Sequence, residues 1–257
     1  MILTLDVGST LIFGGLLKEG EVILTFQKST HPMISADELG LFLKTWLTVK
    51  DYGDRRIEGI VFCSVVPEMN PVVVDCGREY FGVEPMTLQA GVKSGLKIKY
   101  SNHRELGADL IANAVAAVRL HPSRNLIIVD FGTATSLCAV SDSKEYLGGT
   151  LVPGLDIAMN ALADRTARLP VVEIQPVTGV CGRDAVSGIQ GGLYYGTLGM
   201  LKELIGRMRQ ECFPDREVTV VATGRYAHLY EKFRLFDHHV PELVLLGLEQ
   251  IRILNLD

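Results

Sequence analysis

The stretch LIIVDFGTAT, residues 126–135, joins an apolar strand to a short polar turn. Apolar and β-branched residues run into the acid Asp130, and a Gly-Thr turn follows, so the stretch predicts a buried strand that ends in a carboxylate. Residues 3–10, LTLDVGST, repeat this order with Asp6 before a Gly-Ser turn. The two copies indicate an internal repeat, and this repeat determines the fold class that the sequence predicts.

The elements around the two turns recur in the same order. In each half the first strand carries the acid, two further strands follow, and helices precede a later strand that ends in small residues. GIVFCSVVP in the first half thus parallels VTVVATGRY in the second. Two unrelated strands that look alike by chance are the alternative, which the shared order disfavours. We predict two similar α/β domains, residues 1–118 and 119–257, with a ligand-binding cleft between them.

The composition limits the class of protein. The 257 residues are 47% hydrophobic and 21% charged with a net charge of −5, so we expect a sizeable core and no nucleic-acid-binding surface. The five cysteines form no C-x-x-C pair, which predicts free thiols in a reducing compartment, the cytoplasm, rather than disulfides or a zinc site. We expect neither a signal peptide nor a membrane span, because the N-terminus has no basic region and no long apolar run occurs.

Each turn combines groups that bind phosphate with an acid that binds a cation. Gly8 and Gly132 lack a Cβ and let a ligand approach the backbone closely. The neighbouring hydroxyls, such as those of Ser9 and Thr133, and exposed N–H groups can contact phosphate oxygens. Mg²⁺ takes one or two carboxylates together with phosphate oxygens. A polar strand end is the commoner interpretation of one such turn, but two equivalent turns favour ATP.

Two further positions are candidates for the site. The turn Thr223-Gly224 follows a late strand and would lie against adenosine in a two-lobed ATPase, although generic strand-to-helix turns have the same sequence. Asp109 begins an apolar helix and is either its N-cap or a general base that accepts the proton of an attacking hydroxyl in phosphoryl transfer. Neither a P-loop motif nor G-x-G-x-x-G after a strand is present.

A later helical segment carries glycines at regular spacing. Gly188, Gly192, Gly196 and Gly199 follow one another at intervals that place them on one face of a helix. Such a face permits close approach of another backbone, so we expect it to pack against the other lobe or a second subunit.

The motifs DVGST, GADLIANAVAA, VDFGTAT, YLGGTLVPGL, ARLPVVE and GGLYYG, in this order, resemble type III pantothenate kinase over nearly the whole chain. That family belongs to the acetate-kinase/Hsp70/actin-like superfamily, so the resemblance implies two tandem ribonuclease H-like (actin-like ATPase) domains. It also implies ATP-dependent phosphorylation of pantothenate to 4′-phosphopantothenate, the first step of coenzyme A synthesis. The implied cofactors are ATP, Mg²⁺ and a monovalent cation, K⁺ or NH₄⁺, and the implied assembly is a cytoplasmic homodimer.

The resemblance assigns roles to residues that match the family's motifs. Asp109 would be the general base, and Asp130 would bind the monovalent cation. The implied site residues are Asp6, Val7, Gly8, Ser9, Thr10, Thr133 and Gly224 for ATP, Tyr100, Gly107, Ala108, Asp109, Leu110 and Ala185 for pantothenate, and Asp6 and Asp130 for metal ions.

Four positions depart from the family's usual pattern. Ser9 replaces an Asn, Leu110 replaces an Arg, Ala185 replaces a Thr, and Arg225 replaces the second Gly of a Thr-Gly-Gly turn. Loss of a guanidinium from a substrate site is not a conservative change. The alternative function is therefore that of a paralogue which binds a ligand or a regulatory partner with little kinase activity.

Overall fold

A computed structural model describes residues 1–89, 91–102 and 105–256. The strands are β1 Ile2–Val7, β2 Leu11–Lys18, β3 Glu21–Ser29, β4 Gly59–Ser64, β5 Met86–Thr87, β6 Lys97–Ile98, β7 Asn125–Phe131, β8 Ala134–Val140, β9 Glu145–Pro153, β10 Val218–Gly224 and β11 His238–His239. The helices are α1 Ala36–Val49, α2 Met69–Cys76, α3 Ala108–Leu120, α4 Leu155–Arg165, α5 Ala185–Cys212 and α6 Leu243–Ile253, with a π-helical turn at Gly77–Phe81 and a 3-10 helix at Ala227–Phe233.

The first sheet has five strands in the order β3-β2-β1-β4-β5. Strand β1 pairs antiparallel with β2 and parallel with β4. Because side chains alternate along a strand, Leu3 and Val7 of β1 pack against α1 and α2, whereas Ile2 packs on the opposite face with α3 and α6. Asp6 shares the face of Ile2. Helix α1 begins with the predicted capping box of Ser35 and Glu38.

The second sheet has six strands in the order β11-β10-β7-β8-β9-β6. Strand β7 pairs antiparallel with β8 and parallel with β10. Its residues Ile127, Val129 and Phe131 are buried in one apolar cluster with side chains of α4, α5 and the 3-10 helix. Asp130 therefore points to the other face of this sheet.

The predicted repeat is confirmed in the sheet topology. Reading β7, β8, β9, β10 and β11 as counterparts of β1 to β5 gives the same strand order and the same parallel and antiparallel pairs. Strand β6 is the addition, and it extends the second sheet beside β9. The α/β class with two sheets is as the sequence predicts.

The contacts divide the chain into two units that differ from the boundaries 1–118 and 119–257 chiefly in two segments, Lys97–Tyr100 and the residues from Glu242 onward. Unit 1 contains Met1–Leu96, Ser101–Arg119 and the residues from Glu242 onward, and unit 2 contains Lys97–Tyr100 and Leu120–Pro241. Helix α6 belongs with unit 1 because its apolar face is buried against β1, β4 and α3. Asp257, the last residue of the second predicted domain, lies outside the described residues.

All five cysteines are free, and Cys63, Cys76 and Cys138 are buried, as expected of small apolar side chains. Among the residues that the structure describes, none of the helices combines the length and the hydrophobicity of a membrane span.

Candidate active site

The first turn leaves the end of β1 beside the buried residue Thr30. The N–H of Gly8 donates to the Leu11 carbonyl at 2.9 Å and closes the turn. Thr30 donates twice, from its hydroxyl to the Gly8 carbonyl at 2.8 Å and from its N–H to the Thr10 carbonyl at 3.0 Å. These bonds fix the carbonyl side of the turn, while Ser9 and Thr10 are exposed.

Asp6 lies at the end of β1 directly opposite Cys63 of β4. The Cys63 thiol, 1% exposed, donates to Oδ1 of Asp6 at 3.2 Å. Burial raises the pKa of this thiol well above its usual value, and the nearby carboxylates of Asp6 and Asp109 raise it further. Cys63 therefore stays protonated and can act as a donor.

Asp109 is the second residue of α3 and lies in the electrostatic neighbourhood of Cys63. The helix begins at Ala108, so Asp109 lies inside its first turn and is not the N-cap residue. Burial raises the pKa of its carboxyl, and hydrogen bonds from the backbone N–H groups of Leu110 and of Asp109 itself partly offset that shift. Unit 1 thus brings together two of the predicted site acids, Asp6 and Asp109, around one buried thiol.

Gly107 provides the space that the Asp109 carboxylate occupies. A Cβ at Gly107 would collide with Oδ1 of Asp109, so a larger residue would displace the carboxylate. The partly buried side chains of Ala108 and Leu110 flank it in the first turn of α3. Four of the predicted substrate residues therefore form one continuous segment.

The second turn places Asp130 beside Gly224. Asp130 of β7 is directly opposite Thr223 of β10. Gly224 has a φ of 85°, and a Cβ there would lie 2.6 Å from Oδ1 of Asp130 and 2.6 Å from the Phe131 nitrogen. Only glycine combines this backbone conformation with so close an approach of the carboxylate.

Gly154 packs closely against the second turn. Its N–H donates to the Thr133 carbonyl at 3.2 Å, and a Cβ at this position would collide with the carbonyl oxygens of Gly132 and Thr133. Gly132 and Thr133 are exposed on their other side. The exposed edge of this turn is therefore open to a ligand.

Arg225 follows Gly224 and extends toward the first turn of α4. Its guanidinium lies 3.4 Å from Oδ2 of Asp156 and 5.1 Å from the ring centre of Tyr226. Tyr226 donates its hydroxyl to Oδ1 of the same carboxylate at 2.6 Å. Asp156 therefore holds both side chains, and burial and this hydrogen bond raise the pKa of Tyr226.

The remaining predicted substrate residues, Tyr100 and Ala185, belong to unit 2. Tyr100 follows the edge strand β6, and its ring lies 6.4 Å from that of Tyr146 in an edge-on arrangement. Ala185 is the exposed first residue of α5, after Asp184, which caps that helix.

Sequence reasoning missed four residues that shape the two turns, namely Thr30, Cys63, Gly154 and Asp156. A signal was present for two of them, because Thr30 and Gly154 each follow the third strand of a repeat. Aligning the repeats beyond their first strands would have paired these positions. The contacts of the Cys63 thiol and of the Asp156 carboxylate depend on strand register and helix placement, which no local sequence pattern reveals.

Both sheets have the strand order of ribonuclease H-like domains, and both first strands end in an acid and a glycine-hydroxyl turn. The chain thus has a two-domain ribonuclease H-like fold. The model of the type III pantothenate kinase family matches residues 2–207. The chain therefore belongs to the type III pantothenate kinase family.

Named relatives agree with this family. The chain is 46% identical over 255 residues to a type III pantothenate kinase of Legionella pneumophila (strain Paris), covering 99% of each chain. It is 41% identical to type III pantothenate kinase 1 of Francisella tularensis subsp. holarctica (strain OSU18), covering 99% of this chain and 100% of the relative.

Solved structures support the fold alone. A structure described as that of a Baf family transcriptional activator from Campylobacter jejuni aligns with a TM-score of 0.56 at 15% identity, covering 98% of each chain. The ethanolamine utilization protein EutJ from Carboxydothermus hydrogenoformans aligns with a TM-score of 0.54 at 15% identity, covering 96% of this chain and 88% of that one.

Proposed function

We propose that this chain transfers the γ-phosphoryl group of ATP to the hydroxyl of pantothenate and so forms 4′-phosphopantothenate, the first step of coenzyme A synthesis. The observation that carries the proposal is the pair of acids Asp6 and Asp109 grouped around Cys63 in unit 1. Phosphoryl transfer needs an oriented nucleophile and neutralised phosphate charge more than covalent chemistry. Asp109 can serve the first need as a base for the nucleophile, and Asp6 can serve the second by binding a cation that neutralises phosphate charge.

Asp109 is the proposed general base. Burial raises the pKa of its carboxyl, which brings the group closer to the working pH and makes it a stronger base than an exposed aspartate. Two backbone N–H groups oppose this shift and keep the ionised form accessible. The carboxylate would accept the proton of the attacking pantothenate hydroxyl.

Asp6 and the first turn are the proposed site of Mg²⁺ and the ATP phosphates. The donors here are hard oxygens, one carboxylate with the exposed hydroxyls of Ser9 and Thr10, and these suit Mg²⁺. Among residues 1–89, 91–102 and 105–256, no group of three or more His, Cys, Asp or Glu side chains could hold a metal ion by itself. The donors of Asp6, Ser9 and Thr10 would therefore leave coordination positions of Mg²⁺ for phosphate oxygens and water. Bound Mg²⁺ would neutralise charge on the phosphates.

The second turn is the proposed site of the remaining nucleotide contacts. Thr133 is exposed next to Gly132 and would contact ATP, as would the glycine turn at Gly224. Asp130, which lies against Gly224, would bind the monovalent cation, K⁺ or NH₄⁺. A carboxylate is an oxygen donor of the kind that hard cations prefer.

Pantothenate would be bound by Tyr100, the segment Gly107 to Leu110, and Ala185. The departures Leu110 and Ala185 remove polar groups from this set, so we expect weaker binding of the substrate carboxylate than an Arg and a Thr would give. Replacement Leu110→Arg should lower the KM for pantothenate several-fold, measured by steady-state kinetics. An unchanged KM would show that this position does not face the substrate.

The active assembly is proposed to be a homodimer formed on α5. Gly188, Gly192, Gly196 and Gly199 are all exposed, and a Cβ at each would meet no atom within 4 Å. Such a face permits close approach of another backbone.

The free cysteines fit a reducing compartment, and we propose the cytoplasm.

A coupled assay that detects ADP formation tests the function. The purified chain is incubated with ATP, Mg²⁺, K⁺ and millimolar pantothenate, with arms that omit pantothenate or replace K⁺ by Na⁺. We expect turnover that requires pantothenate and falls when K⁺ is replaced. No turnover by folded protein would reject the kinase function and favour a paralogue that only binds ligand.

A further inference from the structure

Cys63 is positioned by strand register to contact the acid of the first turn. Strands β1 and β4 are parallel, and Asp6 and Cys63 are direct partners in their register. The thiol donates to Oδ1 of Asp6 at 3.2 Å, and the residue is buried in the apolar cluster between the sheet and α3 and α6. A donor to a partly buried carboxylate oxygen favours the rotamer that makes this hydrogen bond, because turning away would give up the bond.

The equivalent position of unit 2 has a different partner. Thr223 stands opposite Asp130 on β10, as Cys63 stands opposite Asp6 on β4. The Thr223 hydroxyl donates to the Pro241 carbonyl at 3.3 Å. A donor directed at the acid is therefore not a requirement of the fold at this position, and the thiol contact is a specific feature of unit 1.

We infer that Cys63 is a positioning residue: its thiol holds the Asp6 carboxylate in the orientation that binds Mg²⁺ with the ATP phosphates. This inference rests on the proposed function, in which Asp6 is the acid that binds Mg²⁺. Because the thiol is neutral, it orients the Asp6 carboxylate without cancelling the negative charge that attracts Mg²⁺. It also fills an apolar space, where a charged donor such as lysine would not be tolerated.

Four variants separate the donor from the packing. Cys63→Val fills the space without a donor, Cys63→Ala removes both, and Cys63→Ser keeps a donor. Cys76→Ala is the matched control, because Cys76 is a buried thiol on the opposite face of the same sheet, in the cluster with α1 and α2. If Cys63→Ala or Cys63→Val fails to fold, the other of the two supplies the donor-free measurement.

The measurement is calorimetric titration of each protein with ATP, with and without Mg²⁺. We expect the donor-free variants to lose about tenfold in Mg²⁺-dependent affinity, the loss of one hydrogen bond to a charged group. We expect affinity without Mg²⁺ to be unchanged, Cys63→Ser to stay within about threefold of the original chain, and Cys76→Ala to match it.

Three results would overturn the inference: equal Mg²⁺-dependent affinity in Cys63→Val and Cys76→Ala, a loss in Cys63→Ser as large as in Cys63→Val, or wild-type ATP binding that is independent of Mg²⁺. Binding is read without turnover. A chain that binds MgATP but does not phosphorylate pantothenate would therefore reject the proposed function and leave this inference to be decided by its own variants.

Discussion

The two turns of the molecule occupy the same position in their sheets and are held by different means. In unit 1 the residue after the third strand is Thr30, which bonds the turn through its N–H and its hydroxyl. In unit 2 the corresponding residue is Gly154, which bonds its turn through the N–H alone and has no space for a side chain. The backbone N–H at this position therefore bonds the turn in both units. Only unit 1 adds a side-chain hydrogen bond, whereas unit 2 packs a glycine against the turn.

The acids of the two turns also have different surroundings. Asp6 has a thiol as its cross-strand partner, and the base candidate Asp109 lies near that thiol. Asp130 lies against the backbone at Gly224. Unit 1 thus gathers side chains that suit proton transfer and a divalent cation, whereas unit 2 offers a carboxylate that lies close to the main chain at Gly224. Both arrangements follow from one repeat whose visible signature is an acid and a glycine.

The largest effect is expected from Asp109→Asn, which tests the assignment of the chemistry to unit 1. As an amide cannot accept the proton, we expect kcat to fall by about 10² to 10⁴. The melting temperature should not fall, because the variant removes a carboxylate whose ionised form is disfavoured by burial. Steady-state kinetics and thermal unfolding at neutral pH measure the two quantities.

Asp37→Asn is the control for this change, since Asp37 is likewise the second residue of a helix, α1, and has no place in the proposed site. It should leave kcat within about threefold.

The pH profile gives an independent check of the role of Asp109. The raised pKa of Asp109 means that kcat/KM of the original chain is lost as the pH falls through a value above that of an ordinary aspartate. Near-normal kcat in Asp109→Asn would contradict the assignment.

Gly154→Ala should destabilise the second turn. The φ of −66° at Gly154 is accessible to alanine, so the cost comes from the methyl group, which would collide with backbone carbonyl oxygens that cannot move alone. We expect a loss of about 2 kcal/mol in the free energy of unfolding, measured by denaturant titration.

Gly206→Ala on α5 is the matched control, because a Cβ there meets nothing within 4 Å. It should be neutral or stabilising by about 0.5 kcal/mol. If the two variants are equally stable, the close packing of Gly154 against the second turn is wrong.

Thr30→Val should weaken the first turn by less, because it removes one hydrogen bond and leaves the backbone bond in place. We expect a loss of about 1 kcal/mol in the free energy of unfolding and a higher KM for ATP. Thr48→Val is the control, since its hydroxyl bonds the Lys44 carbonyl on the exposed side of α1. An effect on KM from Thr48→Val as large as from Thr30→Val would show that the turn is not involved.

The smallest effect is expected at Arg225. Its ion pair with Asp156 is exposed, with 59% of the Arg225 side chain accessible, so solvent screens the attraction. A double-mutant cycle of Arg225→Ala and Asp156→Ala should give a coupling energy below about 1 kcal/mol. A much larger coupling energy would mean that this pair, rather than the glycine beside it, fixes the second turn.

The sequence by itself determined the repeat, the α/β class and most helices and strands. The acids Asp6 and Asp130 mark the ends of corresponding strands, and Ser35 with Glu38 marks the start of α1. These features are local, because hydrophobic period, turn chemistry and capping depend on residues a few positions apart. The family motifs also indicated Asp109 before its surroundings were known.

Only the tertiary structure decided which residues share a neighbourhood. Helix α6 joins unit 1 because its apolar stripe is buried against β1, β4 and α3, although the chain reaches it from unit 2. Asp109 could be an N-cap or a base from sequence, and its raised pKa comes from burial that the helix start alone does not produce. The thiol of Cys63 meets Asp6 across 57 residues through parallel register, a contact between distant segments that no local pattern encodes.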